Sequence, residues 1–286
     1  MATILSEILD RKREVIARFR ADPASRDFRD RASATRAKAT PHRLLRALRS
    51  NLRGVNIIAE FKRRSPSAGT IRNDLSATDV ATRYERGGAC AISVLTDEEY
   101  FGGSILDLGA IRATTSLPLL RKDFIIDEIQ IYEAAIVGAD AVLLIAAVLD
   151  DGALEKLRAT AEDELGLDAV VEVHTSEELC RAVNRAVNVG ARIIGVNNRD
   201  LQTFRTSLET SERLIAEAPT DRVMISESGL QNPESLRHLQ TLGFRGFLIG
   251  EALMRTSDPE VALRDFIAGA EDGQAAMASD TDGLQF

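Results

Sequence analysis

The stretch PLLRKDFIIDEIQIYEAAIVGADAVLLIAA, residues 118–147, decides the fold. A short apolar run (118–122) ends in charge. A segment with helical spacing (127–139) follows, closes on Gly138 and leads into a second apolar run (140–147). Glycine suits the left-handed stop of a helix. Strand, helix and strand at this length make a parallel βαβ unit.

The unit recurs. Runs of β type fall at 57–61, 90–96, 118–122, 140–147, 168–174, 192–198, 222–228 and 245–250, and ERGGAC, AIVGAD, VNVGAR and TLGFRG carry the same glycine stop. Eight units predict an α/β fold, a (β/α)8 TIM barrel, whose usual size is about 250 residues. The competitor is an open, doubly wound sheet, which has fewer strands and often a glycine-rich fingerprint after the first. No G-x-G-x-x-G follows residues 57–61, and there is no Walker A motif. Apolar spacing over 3–20 predicts an N-terminal helix; a charged connection rich in Ala and Arg follows. Pro41 then opens a short helix through Leu44, Leu45 and Leu48. A single barrel domain over 1–270, with a helical extension at 1–53, is expected. The acidic segment 271–286 is poor in bulky apolar residues and reads as a disordered tail.

Hydrophobic content of 44% and charged content of 28% fit a soluble globular chain. The longest apolar stretch, 134–149, is interrupted by Asp140 and too short for a membrane span. The first residues mix acids and bases where a signal peptide needs an apolar core. A cytoplasmic protein without membrane contact is expected. The net charge of −8 argues against a nucleic-acid partner. Residues 1–53 nevertheless hold 14 Lys/Arg against 6 Asp/Glu, a net +8 that leaves −16 for the rest. These arginines are scattered and no aromatics interleave with them, so a solvated helix face, or a cap lending cations to an anion site, is the reading. Cys90 and Cys180, with His42, His174 and His238, show no metal-ligand spacing. Cys90 reads as a buried structural thiol.

Barrel enzymes place their chemistry at the C-terminal ends of the strands, and strand residues alternate between faces. Ile58, Glu60 and Lys62 share one face; so do Leu120 and Lys122, Val170 and Glu172, Gly195 and Asn197, and Ile225 and Glu227. Each apolar strand therefore ends in a polar inward position. Three Glu, two Lys and an Asn at one mouth would be costly to bury unless they pair or serve a substrate. SESGL (226–230) and LIGEAL (248–253) follow the last two strands, where barrels often bind phosphate. The residues thus indicate acid–base chemistry on a small phosphorylated substrate, without metal.

In this order, IIAEFKRRSPSAGTI, ISVLTDEEYFGGS, the run from Leu117 to Ile145, VVEVHTSEEL, IIGVNNRDLQTF, SESGL and FLIGEALM resemble the indole-3-glycerol phosphate synthase family over about residues 1–268. The resemblance implies ring closure, decarboxylation and dehydration of 1-(2-carboxyphenylamino)-1-deoxyribulose 5-phosphate in tryptophan biosynthesis, with no cofactor or metal. It implies Lys122 as general acid in ring closure and Glu172 in acid–base work during dehydration. Glu60 would lie near the substrate's amine and hydroxyls, and Lys62 would reach the phosphate and the reacting centre. Asn197 and Glu227 would orient the substrate. Arg199 with Ser65, Pro66 and Ser67 would surround the anthranilate carboxylate. Phe101, Phe124, Leu143 and Leu201 would wall the aromatic ring. Ser228, Gly229, Gly250 and Glu251 would hold the phosphate, the Glu251 side chain facing away. The RRSPSAG loop would fold over the substrate, and a monomer is slightly favoured. A phosphate-binding isomerase, an aldolase with a Schiff base on Lys122, and a non-catalytic sugar-phosphate binder are the competing readings.

Overall fold

The computed structural model describes residues 4–51, 54–184, 189–200 and 203–282, with 272–282 as backbone only. Eight parallel strands close into a barrel: β1 (Ile57–Phe61), β2 (Ala91–Leu95), β3 (Leu119–Lys122), β4 (Ala141–Ile145), β5 (Asp168–Val173), β6 (Ile193–Asn197), β7 (Val223–Glu227) and β8 (Gly246–Ile249). Closure falls on β1, which pairs with β8 through Ile58↔Leu248 and with β2 through Glu60↔Ser93. Each run expected from sequence contains one of these strands.

Helices wrap the outside: α4 (Ala77–Gly87), α5 (Ile105–Thr114), α6 (Glu128–Ile136), α7 (Asp151–Ala159), α8 (Ser176–Val183), α9 (Glu209–Glu217) and α10 (Pro233–Leu242). A polar side chain starts most of them. Ser76, Asp127, Asp150, Thr175 and Asn232 each accept a backbone N–H of the first turn, and such a cap contributes about 1 kcal/mol. Gly88 and Gly138 stop α4 and α6 with φ of 92° and 93°, as the sequence pattern requires. After β8 come α11 (Glu251–Met254) and α12 (Pro259–Asp282). The expected disordered tail falls mostly on residues whose side chains, and from 283 whose backbone, lie outside the described residues.

Strand alternation produces two apolar cores. Outward residues such as Ala59, Phe61, Val94 and Leu144 meet Val80, Tyr84, Leu108 and Ile131 of the helices. Inward residues, among them Ile58, Leu120, Val170, Ile193 and Ile225, fill the barrel itself. Leu44, Leu45 and Leu48 of α3 (Arg43–Ser50) belong to that inner cluster and plug the N-terminal end. The plug closes that end of the barrel interior, whereas the C-terminal mouth is open. Cys90 packs against the inner cluster, half-buried and unbridged, and Cys180 is exposed.

Ahead of α3, α1 (Ile4–Ala21) matches the predicted stripe. The Arg-rich connection contains a helix that its pattern did not reveal, α2 (Phe28–Arg36). Only Ala32 and Arg36 of α2 are buried, so no apolar period marks it. Its anchor is polar: the Arg36 guanidinium donates to the carbonyls of Leu165, Ala139 and Gly166. Among the described residues no helix is long and apolar enough to cross a membrane.

Leu48 is fully buried at the plug. Leu48→Ala is expected to lower unfolding stability by about 2–5 kcal/mol, as buried Leu→Ala changes do, measured by chemical denaturation. An unchanged midpoint would mean that α3 does not seal the barrel.

Candidate active site

The odd-numbered strands send one inward residue each to a common level: Glu60 from β1, Lys122 from β3, Glu172 from β5 and Glu227 from β7. Alternate strands supply a layer in this fold, and the level just beneath holds Ile58, Leu120, Val170 and Ile225 of the inner apolar cluster. The ammonium of Lys122 lies 2.6 Å from Glu172 Oε2 and 2.9 Å from Glu227 Oε2. Lys62, one inward step above Glu60, reaches back to its Oε1 at 2.6 Å. All three glutamates are buried.

Small residues on the even strands make room for the acids. A Cβ on Gly195 of β6 would sit 2.1 Å from Glu227 Oε1, and one on Gly250 would sit 2.4 Å from Glu60 Oε1. Gly250 is therefore required by a carboxylate, a reason its place in a phosphate loop did not supply.

Charge and burial then separate the protonation states. Burial pushes the Lys122 ammonium down, but Glu172, Glu227 and Glu60 outweigh it and hold the lysine well above its usual value. Burial pushes Glu172 up; Lys122, His174 and hydrogen bonds from Lys122 and Asn197 bring it to about 2. For Glu227, burial is the largest influence; Lys122 offsets part of it, Glu172 and Glu60 add to it, and the carboxyl rises to about 7. Two carboxyls on one ammonium thus sit on opposite sides of their ordinary range, which is how neighbouring acid and base roles are set apart.

Above this level opens a cavity of about 780 Å³, within the range of small-molecule sites. Every predicted site residue lines it except Leu201, which lies outside the described residues. One wall is apolar, with Phe101 and Phe124 at 6.2 Å between ring centroids and Leu143 nearby. Arg199 is turned toward the Ser65–Ser67 loop, its guanidinium 3.2 Å from Ser67 Oγ. That loop is a short antiparallel hairpin, Arg64–Ser65 against Gly69–Thr70, with Arg63 at its base in a bidentate pair with Asp107. Ser228 and Gly229, at φ of 66° and 76°, line the cavity with Gly250 and Glu251. The Glu251 carboxylate is occupied by Arg255 Nε at 2.9 Å, so the acid at this end is paired with a cation.

Other lining residues escaped the sequence reading. Ile4, Leu5 and Ile8 of α1 cover the cavity, and Lys12 ties that helix down, 2.9 Å from Asp97 and 2.6 Å from Asp123. Nothing in the sequence pairs Lys12 with either acid. Leu95 and Ile145 share the inward parity of their strands; His174 shares that of Glu172 and lies against it, outside the cavity lining. The parity rule that selected Glu172 would have found all three had it been applied to apolar and imidazole side chains as well.

The indole-3-glycerol phosphate synthase family model matches residues 5–266. Indole-3-glycerol phosphate synthase from Bacteroides thetaiotaomicron is 44% identical over 267 residues, covering 93% of this chain and 98% of its own. The protein of the same name from Carboxydothermus hydrogenoformans is 45% identical over 269 residues, 92% of this chain and 99% of its own. Among solved structures, 3-hexulose-6-phosphate synthase from Salmonella typhimurium superposes with a TM-score of 0.60 at 14% identity, over 76% of this chain and 99% of that one; this likeness is one of fold alone. With both the barrel and its covering helix inside the match, and relatives aligned almost end to end, the chain belongs to the indole-3-glycerol phosphate synthase family.

Proposed function

We propose that the chain converts 1-(2-carboxyphenylamino)-1-deoxyribulose 5-phosphate to indole-3-glycerol phosphate, with Lys122 as the acid of ring closure. The aromatic carbon that bears the carboxylate attacks the ribulose carbonyl, and the Lys122 ammonium gives its proton to the carbonyl oxygen. Carbon dioxide then leaves, and the electrons of the broken bond restore the aromatic ring. Glu172 serves the dehydration that follows, in which the new hydroxyl departs as water and the pyrrole double bond forms. The observation that carries this reading is the ammonium of Lys122, 13% exposed, held between the buried Glu172 and Glu227 on the cavity floor.

The rest of the cavity suits the two ends of this substrate. Phe101, Phe124 and Leu143 take the aromatic ring, and Arg199 with Ser65–Ser67 takes the anthranilate carboxylate, a planar anion that a guanidinium can grip with two hydrogen bonds. Ser228, Gly229, Gly250 and the start of α11 take the phosphate, Arg255 and Lys62 adding positive charge. Glu60 and Asn197 orient the amine and hydroxyls. An aldolase using Lys122 as a Schiff base is disfavoured, because an amine held protonated by two carboxylates is a poor nucleophile.

Three outcomes test this. Lys122→Ala should lose at least ~100-fold in turnover, the low end for a positioned acid–base group, in an assay of indole fluorescence with folding checked by circular dichroism. Near-normal turnover would remove Lys122 from the mechanism. Borohydride treatment in the presence of substrate should leave the protein mass unchanged; an adduct on Lys122 would favour the Schiff base. Gly195→Ala should displace Glu227 and lower kcat about 100-fold, the scale of an ångström misplacement. Full activity in that variant would show that the position of Glu227 does not matter.

A further inference from the structure

His174, just past the end of β5, has no task in the reaction as described. Its side chain is only 12% exposed. Nδ1 stands 3.3 Å from Glu178 Oε2 of α8, an oxygen that also accepts the His174 backbone N–H at 2.7 Å. Nε2 is buried and stands 3.5 Å from Glu172 Oε1, an ion-pair separation rather than a hydrogen bond. A neutral imidazole donates from one nitrogen only. With Nδ1 donating to Glu178, a neutral ring would turn a lone pair on the Glu172 carboxylate; an imidazolium serves both acids. Glu178, His174, Glu172, Lys122 and Glu227 then alternate in sign across the barrel mouth from α8 to β7.

The row is not symmetric about Lys122. Glu172 has the Lys122 ammonium on one side and the His174 ring on the other, and Asn197 besides. Among the described residues Glu227 is paired with Lys122 alone, and its Oε1, buried against Gly195, has no hydrogen-bond partner. We propose that His174 is a positioning residue: backed by Glu178, its imidazolium fixes Glu172 as the carboxylate of the pair and leaves Glu227 as the member that carries the proton. After Lys122 has given its proton to the substrate oxygen, the Glu227 carboxyl can give its own to the lysine amine and become a carboxylate, so the acid is restored within the site. The charged groups acting on the ring are Glu172 on β5, Glu178 on α8 and, farther off, Glu227 on β7. Burial pushes the imidazolium down, but the Glu178 hydrogen bond and the Glu172 charge outweigh it and hold it above its usual range.

The inference rests on Lys122 and Glu172 as the working pair, so its first test does not use activity. Imidazole nitrogen NMR of the full chain, with His42→Asn and His238→Asn variants for assignment, should find both His174 nitrogens protonated at pH 7; a neutral ring overturns the proposal. The second test is the pH profile of kcat/KM. Removing an opposite charge raises the carboxylate it faced, so His174→Asn and Glu178→Gln should move the acidic limb upward, by about one pH unit for the former. A loss of activity equal at every pH, with the limb unmoved, would make His174 a packing residue and overturn the proposal. Should His174→Asn not fold, the nitrogen spectrum of the unaltered protein decides.

Discussion

A single, largely covered ammonium organises the mouth of this barrel. Lys122 ends a strand that is apolar at its previous inward position, so its charge has lost most of its water and must be met by protein. No one neighbour meets it. Glu172 comes from two strands away and Glu227 from four, and only closure of the sheet brings them within 2.6 Å and 2.9 Å. The eight-strand layout is therefore a condition for the charge state of Lys122. A change that opened the barrel, or slid β3 by one residue, would expose the lysine or turn it outward.

Space is constrained as tightly as charge. Odd strands carry the ionic side chains at the top level, and glycines between them yield volume: Gly195 of β6 beside Glu227, and Gly250, just past β8, beside Glu60. The result is an ordered set of ionic groups rather than a solvated cluster. Two carboxyls of one residue type consequently part to about 2 and about 7. Their strands are equivalent by topology; their partners are not, since Glu172 faces Lys122, Asn197 and His174 while Glu227 faces Lys122 and otherwise closely packed groups.

Most of the barrel could be read in the chain because its signals are local. A short apolar run recurs eight times, four of the runs are preceded by a glycine stop, and period-two parity selects the inward ends, including Glu60, Lys122, Glu172 and Glu227. What could not be read depends on contacts between distant segments. α2 buries one alanine and one arginine, and no pattern predicts a helix whose anchor is a guanidinium on carbonyls 103 to 130 positions away. Lys12 looks like any surface lysine until α1 is laid across Asp97 and Asp123. His174 was set aside as one of three scattered histidines, although its parity with Glu172 was in plain view.

The lopsided charge of the chain finds its explanation in the same long-range contacts. Cations of the basic N-terminal extension meet the acids of the barrel. Arg11 pairs with Glu99, Arg20 with Asp127, Arg29 with Glu164, and Arg43 with Asp140. The first three, more exposed, contribute little individually and steer the docking of the extension more than they hold it; Arg43 meets the buried Asp140. Lys12 differs, because it is buried against two acids, and one of them, Asp123, directly follows Lys122 in the chain. Burial pushes Lys12 down, yet Asp123 and Asp97 keep it above its usual value. Asp123 in turn is pushed up by burial and brought to about 2 by Lys12 and Arg121. The helix that covers the cavity is thereby tied to the residue beside the central ammonium. Displacing α1 would leave a buried carboxylate short of one cation next to Lys122, and so cover and reactive centre are joined through adjacent positions of a single strand end.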